Sequence, residues 1–270
     1  MGELRLGTGD RLVIGMVHLQ PLPGTPFHRA GSLDEIVRTA VGSAQALDAG
    51  GADGCLVQTV DRVYPTGDEA DPARTAAMAL IVRAVADATR PGFAVGVQIM
   101  RNAVRASLAV AKTAGGAFVR AGALVGATLS AHGPVEADPE AVMAYRAKID
   151  AWDVAVVADV DSSQFRWAGE RDHAGPAARA ARLVGADAVT LGHPDAERTL
   201  AAVAAVRAVT PDLPILLSGH TDHASAARLL AGVDGAFVGS CLEDGGWGGR
   251  IDVERVRSYV GIVRGLEPRG

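Results

Sequence analysis

Short apolar runs alternate with longer amphipathic stretches along almost the whole chain. Each run is nearly continuously apolar, which is typical of parallel strands that are covered on both faces. Most of the runs end in a polar residue or a glycine. The runs that predict strands are 12–18, 53–58, 94–99, 116–120, 153–159, 187–191, 214–218 and 235–239.

The stretches between these strands carry Ala-rich helical patterns. Several begin with a capping residue and acids, as in Ser32 before Asp34 and Glu35. Pro139 occupies a first helical position, where a missing N–H costs nothing. The predicted helices are 32–49, 71–89, 103–114, 138–150, 173–184, 195–209, 221–231 and 252–264.

A similar phrase recurs where helices give way to strands, as Gly-Ala-Asp-Gly at 51–54, Gly-Ala-Asp-Ala at 185–188 and Gly-Val-Asp-Gly at 232–235. This recurrence indicates one repeated βα unit, and strict alternation implies a parallel sheet. An open, doubly wound sheet is the alternative, although no Gly-x-Gly-x-x-Gly follows the first strand. The sequence therefore predicts an α/β fold, a (β/α)8 TIM barrel with residues 1–270 forming a single domain.

Size and composition agree with such a barrel and exclude several functions. The 270 residues are close to the typical length of about 250. A net charge of −5 without a basic cluster argues against nucleic-acid binding. No apolar run approaches the roughly 18–20 residues of a transmembrane helix. Cys55 and Cys241 form neither a disulfide framework nor a zinc pattern, so we expect a cytoplasmic protein.

Active sites of these barrels lie at the carboxyl ends of the strands, which we call the mouth. Asp159 suits a general acid/base or a carboxylate that stabilises positive charge, and Arg120 suits binding of a carboxylate or phosphate. The two side chains are also candidates for an ion pair with each other, and any single polar residue can instead bind loop backbone. The predicted catalytic residues are Asp159, His18, Arg120 and Gln58, and the predicted substrate-binding residues are Gln98, Asn102, Asp161 and His193.

Asp159 and Asp161 are two positions apart on one strand, so we expect both to face the same side. Asp61 and Arg101 follow the second and third strands and are also candidates, and His193 and His220 are weaker ones.

The ends of strands seven and eight predict a phosphate site. Glycine at each end lets backbone N–H groups approach an anion, and a helix N-terminus behind them is expected to add donors. Barrels of this kind often bind phosphate at this point. The alternative is that the two glycines serve only to form tight turns. The predicted phosphate-binding residues are Ser218, Gly219, His220, Gly239 and Ser240, with Thr221 as a further hydroxyl donor.

The chain contains only two lysines, Lys112 and Lys148, and both fall in predicted outer helices. A Schiff-base aldolase needs a lysine inside the barrel near the strand ends, so this mechanism is not expected. No His-x-His or His-Glu-x-x-His spacing supports a metal site, and we predict neither a metal nor another cofactor. Cys241 follows the phosphate residues but nothing marks it as activated.

Several segments together resemble the BtpA/SgcQ family, and the resemblance covers nearly the whole chain. Gly-Met-Val-His-Leu-x-Pro-Leu-Pro-Gly is the most specific phrase. Gln58 departs from the family pattern, where Glu is expected, and Ala121 and His193 lie in turns that also differ. The similar segments are 14–26, 58–61, 96–102, 117–121, 158–160, 217–219, 234–240 and 251–256.

The resemblance implies two kinds of function, because one branch of the family is associated with photosystem I biogenesis and another with sugar utilisation. We expect an enzyme that makes or breaks a bond at the anomeric carbon of a phosphorylated pentose or a nucleotide-like molecule, of the nucleosidase or ribosyl-phosphate transfer type. A metal-dependent or acid/base sugar-phosphate isomerase or lyase is one alternative. A non-catalytic assembly factor for a membrane complex is another. Ala-rich outer helices also suggest a homo-oligomer.

Overall fold

A computed structural model describes residues 11–163, 166–169 and 172–267, and the predicted barrel is confirmed within them. Eight parallel strands close in chain order, with the first strand hydrogen-bonded to the eighth. All eight predicted runs form barrel strands, with ends shifted by up to three residues. The strands are β1 (Leu12–Leu19), β2 (Gly54–Thr59), β3 (Ala94–Gln98), β4 (Phe118–Ala121), β5 (Ala155–Ser162), β6 (Ala188–Gly192), β7 (Ile215–Leu217) and β8 (Gly235–Val238).

Helices follow the strands as predicted. In one of them, Asp71 caps the N-terminus by accepting from the Ala73 and Arg74 amides, and Pro72 begins the helix. The helices are α1 (Leu33–Ala49), α2 (Pro72–Ala88), α3 (Val104–Ala114), α4 (Pro139–Lys148), α5 (Ala174–Leu183), α6 (Ala196–Val209), α7 (Ala226–Leu229) and α8 (Val253–Arg264).

The predicted helix at 221–231 is wrong in its extent, since α7 is a single turn. Asp222 Oδ1 accepts hydrogen bonds from the amides of Ala224 and Ser225, which closes a turn ahead of the helix. The Thr221 hydroxyl is bonded to the Tyr259 hydroxyl at 2.8 Å. These local bonds compete with the helix that the apolar pattern alone predicted.

The core has two layers that the strands separate. Side chains such as Ile14, Leu56 and Leu216 fill the barrel interior, where the rings of Phe118 and Phe237 lie 6.1 Å apart. A larger layer packs between the strands and the helices. The barrel is thus a filled core, and open space for a ligand lies at its mouth.

Short antiparallel strands that the sequence did not predict extend the loops after three barrel strands. Strands 127–130 and 133–136 follow β4 and pair with 166–167, which follows β5. Strands 243–244 and 250–251 pair after β8. All of these loops leave the carboxyl ends of barrel strands, so they build the walls of the mouth.

The recurrent helix-to-strand phrase has a common structural role at the amino-terminal end of the barrel, which we call the base. Each aspartate accepts a hydrogen bond from a backbone N–H of the preceding barrel strand and pairs with an arginine. The three sets are Asp53 with Val13 N at 2.7 Å and Arg264, Asp187 with Val156 N at 2.7 Å and Arg146, and Asp234 with Ile215 N at 2.8 Å and Arg207.

Candidate active site

A cavity of about 630 Å³ opens at the mouth, and we call it the mouth cavity. It brings together all five predicted phosphate-binding residues and three of the four predicted catalytic residues. Those eight residues are Ser218, Gly219, His220, Gly239 and Ser240, with His18, Gln58 and Arg120.

Two glycines form adjacent parts of the cavity wall. Gly219 has φ +98°, a backbone conformation that strongly favours glycine, and a Cβ there would meet no atom within 4 Å. Within the described part of the chain, the amides of Gly219 and His220 donate to no other group. A Cβ on Gly239 would lie 3.5 Å from Met16 Cγ and 3.7 Å from His18 Cε1. Backbone amides and free space therefore coincide at this corner.

The hydroxyl groups around these glycines differ in their availability. Ser218 Oγ is buried without a hydrogen-bond partner among the described residues, whereas His220 Nε2 is bonded to Ser163 Oγ at 2.7 Å. Burial and the proximity of His193 lower the pKa of His220. Thr221 also lines the cavity, and its hydroxyl shares a hydrogen bond of 2.8 Å with the Tyr259 hydroxyl, so its contribution to the phosphate site stays a prediction. The expected helix N-terminus is wrong after β7, since α7 begins only at Ala226 and has one turn, whereas a single 3₁₀ turn, Ser240–Leu242, begins directly behind Gly239.

Arg120 and Asp159 form a buried ion pair inside the barrel. Arg120 Nη2 lies 2.6 Å from Asp159 Oδ2, and the guanidinium lies 5.2 Å from the centroid of the Phe237 ring. Burial raises the pKa of Asp159, while Arg120 and the Ser162 hydroxyl act in the opposite direction. The ion pair is confirmed; Arg120 lines the mouth cavity, whereas the fully buried Asp159 does not, and its catalytic role stays a prediction.

His18 has a carboxylate neighbour that sequence reasoning missed. Its Nδ1 lies 3.9 Å from Glu243 Oε1, and Glu243 is itself buried. The amide of Gly248 donates to Glu243 Oε2 at 2.6 Å. The His18 and Trp247 rings are 5.9 Å apart. The sequence signal that could have pointed to this loop was Trp247, which lies between two pairs of glycines in the segment after β8.

Gln58 and Gln98 are joined beneath the cavity. Gln58 Nε2 donates to Gln98 Oε1 at 2.6 Å, and both residues are buried. Gln98 Nε2 is buried with no partner among the described residues. Gln58 reaches the wall of the mouth cavity, whereas Gln98 supports it from the neighbouring strand.

Two other candidates hold loops together. Asn102 accepts from the Ala123 amide and donates to the Ala123 carbonyl, each at 2.9 Å, which makes it a tether of the loop after β4, and it does not line the mouth cavity. Asp61 accepts from the Leu22 amide at 3.1 Å and forms a buried ion pair with Arg74. The guanidinium of Arg101 lies 5.4 Å from the Tyr64 ring centroid.

The expectation that Asp159 and Asp161 face the same side is wrong. The register shifts between them, so that Asp159 pairs with Thr190 and Asp161 with Leu191. This bulge turns Asp161 outward, because the extra residue breaks the alternation of a strand. Its Oδ1 lies 2.9 Å from His193 Nε2, and Asp161 lines a different cavity of about 880 Å³ beside α5 and α6. Neither Asp161 nor His193 lines the mouth cavity.

The remaining reactive groups lie apart from this centre. Lys112 pairs with Asp153 at 2.8 Å on the outside of α3, and Lys148 ends α4 at the surface. Burial raises the pKa of Cys241 to about 11. Over residues 11–163, 166–169 and 172–267, no three His, Cys, Asp or Glu side chains group so as to hold a metal ion. The expected absence of a metal stays a prediction.

The sequence was compared with protein families and with known proteins. The model of the BtpA family matches residues 10–265. The chain belongs to the BtpA family. Among its BtpA-family relatives, an uncharacterised protein of Archaeoglobus fulgidus is 31% identical over 95% of this chain and 100% of its own length. Photosystem I biogenesis protein BtpA of Synechocystis is 29% identical over 95% of this chain and 90% of its own.

Solved structures that resemble this BtpA-family chain are barrels. N-(5'-phosphoribosyl)anthranilate isomerase from Pyrococcus furiosus has a TM-score of 0.54 and 14% identity, covering 95% of this chain and 100% of that one. 2-Keto-3-deoxy-6-phospho-gluconate aldolase from Zymomonas mobilis has a TM-score of 0.54 and 17% identity, covering 96% and 94%. At these identities the likeness establishes the fold alone.

Among the described residues of this BtpA-family chain, no helix has the length and apolar character needed to cross a membrane. The cytoplasmic location, the absence of nucleic-acid binding and self-association stay predictions.

Proposed function

We propose that this protein is an enzyme that acts at the anomeric carbon of a phosphorylated pentose or a nucleotide-like molecule. One observation carries the proposal: the bare amides near Gly219, the glycine at 239, Arg120 and His18 all border one cavity. Backbone amides suit a phosphate, and the other side chains suit a reacting centre beside it. The known barrels with similar folds include isomerases and aldolases named for phosphorylated compounds.

In this proposal the phosphate binds at the corner formed by Gly219 and Gly239. Asp159, held by Arg120, stabilises positive charge as the anomeric bond breaks, in the way carboxylates act in glycoside chemistry. His18 gives a proton to the leaving group, which departs with the electron pair of the bond. Water then adds to the anomeric carbon, and the proton it loses returns to His18. Gln58 orients a hydroxyl of the sugar.

Schiff-base chemistry is not part of the proposal. The two lysines of the chain lie on outer helices, and neither Lys112 nor Lys148 borders the mouth cavity. The likeness to an aldolase is one of fold and does not itself argue for or against a lysine nucleophile. The positions of the lysines in this chain argue against it.

The phosphate site is tested by calorimetric titration of ribose 5-phosphate and ribose. We expect only the phosphorylated sugar to bind. Gly239→Ala should weaken binding at least tenfold, because the added methyl shields the amides while meeting only ordinary contacts at Met16 and His18. Gly42→Ala on α1 is the matched control, since a Cβ there meets no atom within 4 Å. Equal binding of both sugars by the unaltered protein contradicts the phosphate site.

The chemistry is tested by chromatography for bases released from a panel of nucleoside 5′-monophosphates. Asp159→Asn should abolish release and leave the affinity for ribose 5-phosphate within twofold. A protein that binds ribose 5-phosphate but releases no base from any member contradicts reaction at the anomeric carbon. It would leave the phosphate site standing.

A second candidate is a non-catalytic assembly factor for a membrane complex. It is favoured by the relative in Synechocystis, which is named as a photosystem I biogenesis protein. This candidate requires a stable protein partner and no phosphorylated ligand. The assembly factor would become the preferred candidate if ribose 5-phosphate caused no thermal shift and one membrane-protein partner co-purified with the protein.

A further inference from the structure

A second cavity of about 350 Å³ lies beside His18, between β1, α1 and the hairpin 243–251, and we call it the side cavity. We propose that the side cavity is a subsite for a planar, largely apolar ring that belongs to the same ligand whose phosphate binds at Gly219 and Gly239. This inference rests on the proposed function, and it names the ligand class as a phosphorylated sugar that carries a heteroaromatic ring.

The walls of the side cavity are apolar, unlike those of the mouth cavity. Side chains from β1 and α1 supply most of the surface, and a few polar groups such as the Ser43 hydroxyl lie among them. Small-molecule sites are commonly apolar cavities of about 300–1,000 Å³ with a few placed polar groups. The apolar wall residues are Val17, Leu19, Pro21, Ile36, Ala40, Val60 and Ile251.

The two cavities meet at shared walls. Among the residues that the structure describes, Met16, His18 and Trp247 are the ones that line both cavities. A ligand with its phosphate at Gly219 and Gly239 and its ring in the side cavity would place its middle beside His18. His18 is therefore positioned at the bond between the sugar and the ring.

Trp247 is the wall on which a ring would stack. Its side chain is 67% exposed, although large aromatic residues are usually well buried. It stands at the tip of a hairpin in which Gly246 and Gly248 have φ values of +85° and +87°. Glu243 holds this tip by accepting from the amides of Gly248 and Gly249. An exposed indole on an anchored backbone tip offers a flat surface, and only the side chain itself has to be ordered on binding.

Glu243 also acts on His18 as a positioning residue. The Glu243 carboxylate lies 3.9 Å from His18 Nδ1, beyond hydrogen-bond distance, and faces that edge of the ring. The other ring nitrogen, Nε2, is then the one that exchanges a proton with the ligand. One buried acid thus holds the hairpin tip that carries Trp247 and lies beside the histidine at the junction.

The subsite is tested with adenosine 5′-monophosphate and ribose 5-phosphate as paired probes in calorimetric titrations. We expect the nucleotide to bind at least tenfold more tightly than the sugar phosphate. Trp247→Ala should weaken binding of the nucleotide about tenfold, the usual scale of stacking between a base and an aromatic side chain. Because Trp247 also borders the mouth cavity, binding of ribose 5-phosphate should change by no more than about twofold. Trp247→Phe should retain most of the affinity for the nucleotide.

Two further variants separate the subsite from general damage to the protein. Trp152→Ala is the matched control, because Trp152 is also exposed and lies outside both cavities. Ser43→Leu fills the side cavity from α1 and should weaken binding of the nucleotide alone. Quenching of tryptophan emission by the nucleotide should disappear in Trp247→Phe.

The outcomes distinguish this inference from the proposed function. Equal affinity for both probes, or an equal effect of Trp247→Ala on both, overturns the subsite and leaves the phosphate site intact. Failure of either probe to bind the unaltered protein overturns the proposed function, and the subsite falls with it.

Discussion

Polar groups at the two ends of the barrel differ in whether they have hydrogen-bond partners. At the base, Asp53, Asp187 and Asp234 each bind a strand amide and an arginine. At the mouth, the Ser218 hydroxyl and Gln98 Nε2 are buried without a partner among the described residues. An unmet polar group in the interior costs about 1–3 kcal/mol, so the mouth carries a cost that the base avoids.

The polar residues at the base therefore serve stability, and those at the mouth are available for function. Polar residues at the base close the joints between βα units, and their bonds are complete in the protein alone. Polar residues at the mouth are arranged around a cavity that a ligand can fill. Barrel enzymes typically show this division, with stability at the amino-terminal end and chemistry at the carboxyl end. Substitutions at the two ends should therefore have opposite signs.

The largest effect is expected at the base. Asp234→Ala removes the acceptor of the Ile215 amide at 2.8 Å and of Arg207 at 2.6 Å, so the free energy of unfolding should fall by about 2–4 kcal/mol. Denaturation in urea measures it. Asp212→Ala, at an exposed turn, should change stability by less than about 0.5 kcal/mol. If Asp234→Ala lowered the free energy of unfolding no more than Asp212→Ala does, the proposed contrast between the two ends would be wrong.

The sequence predicted the barrel well because its strands are short, buried and continuously apolar, as in 12–18 and 235–239. It failed where local bonds override the apolar pattern. The turn at Asp222 shortens α7, and the bulge beyond Asp159 sends Asp161 to another cavity. Neither event changes the order of apolar and polar residues, so the pattern cannot reveal it.

The candidate site was predicted to a similar degree and for a similar reason. The rule that strand ends form the mouth brought His18, Arg120, Gly219 and Gly239 to one cavity. Glu243 was missed because its relation to His18 depends on a glycine-rich hairpin whose path only the structure gives.

An intermediate effect of opposite sign is expected inside the barrel. Thr190 is fully buried, and its hydroxyl has no partner among the described residues. Thr190→Val keeps the shape and removes the unmet group, so stability should rise by about 1 kcal/mol. The matched control is Thr199→Val, which should destabilise, because the Thr199 hydroxyl accepts from the His193 amide at 3.0 Å. Thermal unfolding of both variants decides it, and a loss of stability at position 190 would mean that its hydroxyl is satisfied.

A smaller effect is expected at the phosphate corner. Ser218 is only partly buried, although its hydroxyl oxygen is shielded and unpartnered. Ser218→Ala should leave stability within about 0.5 kcal/mol of the unaltered protein, or raise it slightly. The affinity for ribose 5-phosphate should fall about fivefold, since a neutral hydrogen bond contributes about 1 kcal/mol. Unchanged affinity would remove Ser218 from the phosphate site.

The smallest effect is a pH dependence at His220. Burial and nearby His193 lower the pKa of His220 in the folded protein, so the unfolded chain protonates first as the pH falls. Stability is therefore complete above the usual histidine pKa of about 6.5 and declines as the pH drops through the lowered value. His220→Asn suits the φ of +56° and should flatten the dependence of stability on pH in that range.

A bound phosphate should reverse the effect of pH at His220, because a nearby anion favours the protonated ring. The phosphate itself gains a proton at about pH 6, so binding of ribose 5-phosphate should weaken less between pH 7 and 6 in the unaltered protein than in His220→Asn. An identical pH dependence of binding in both proteins would show that the anion lies elsewhere, and the mouth would lose its distinction from the base.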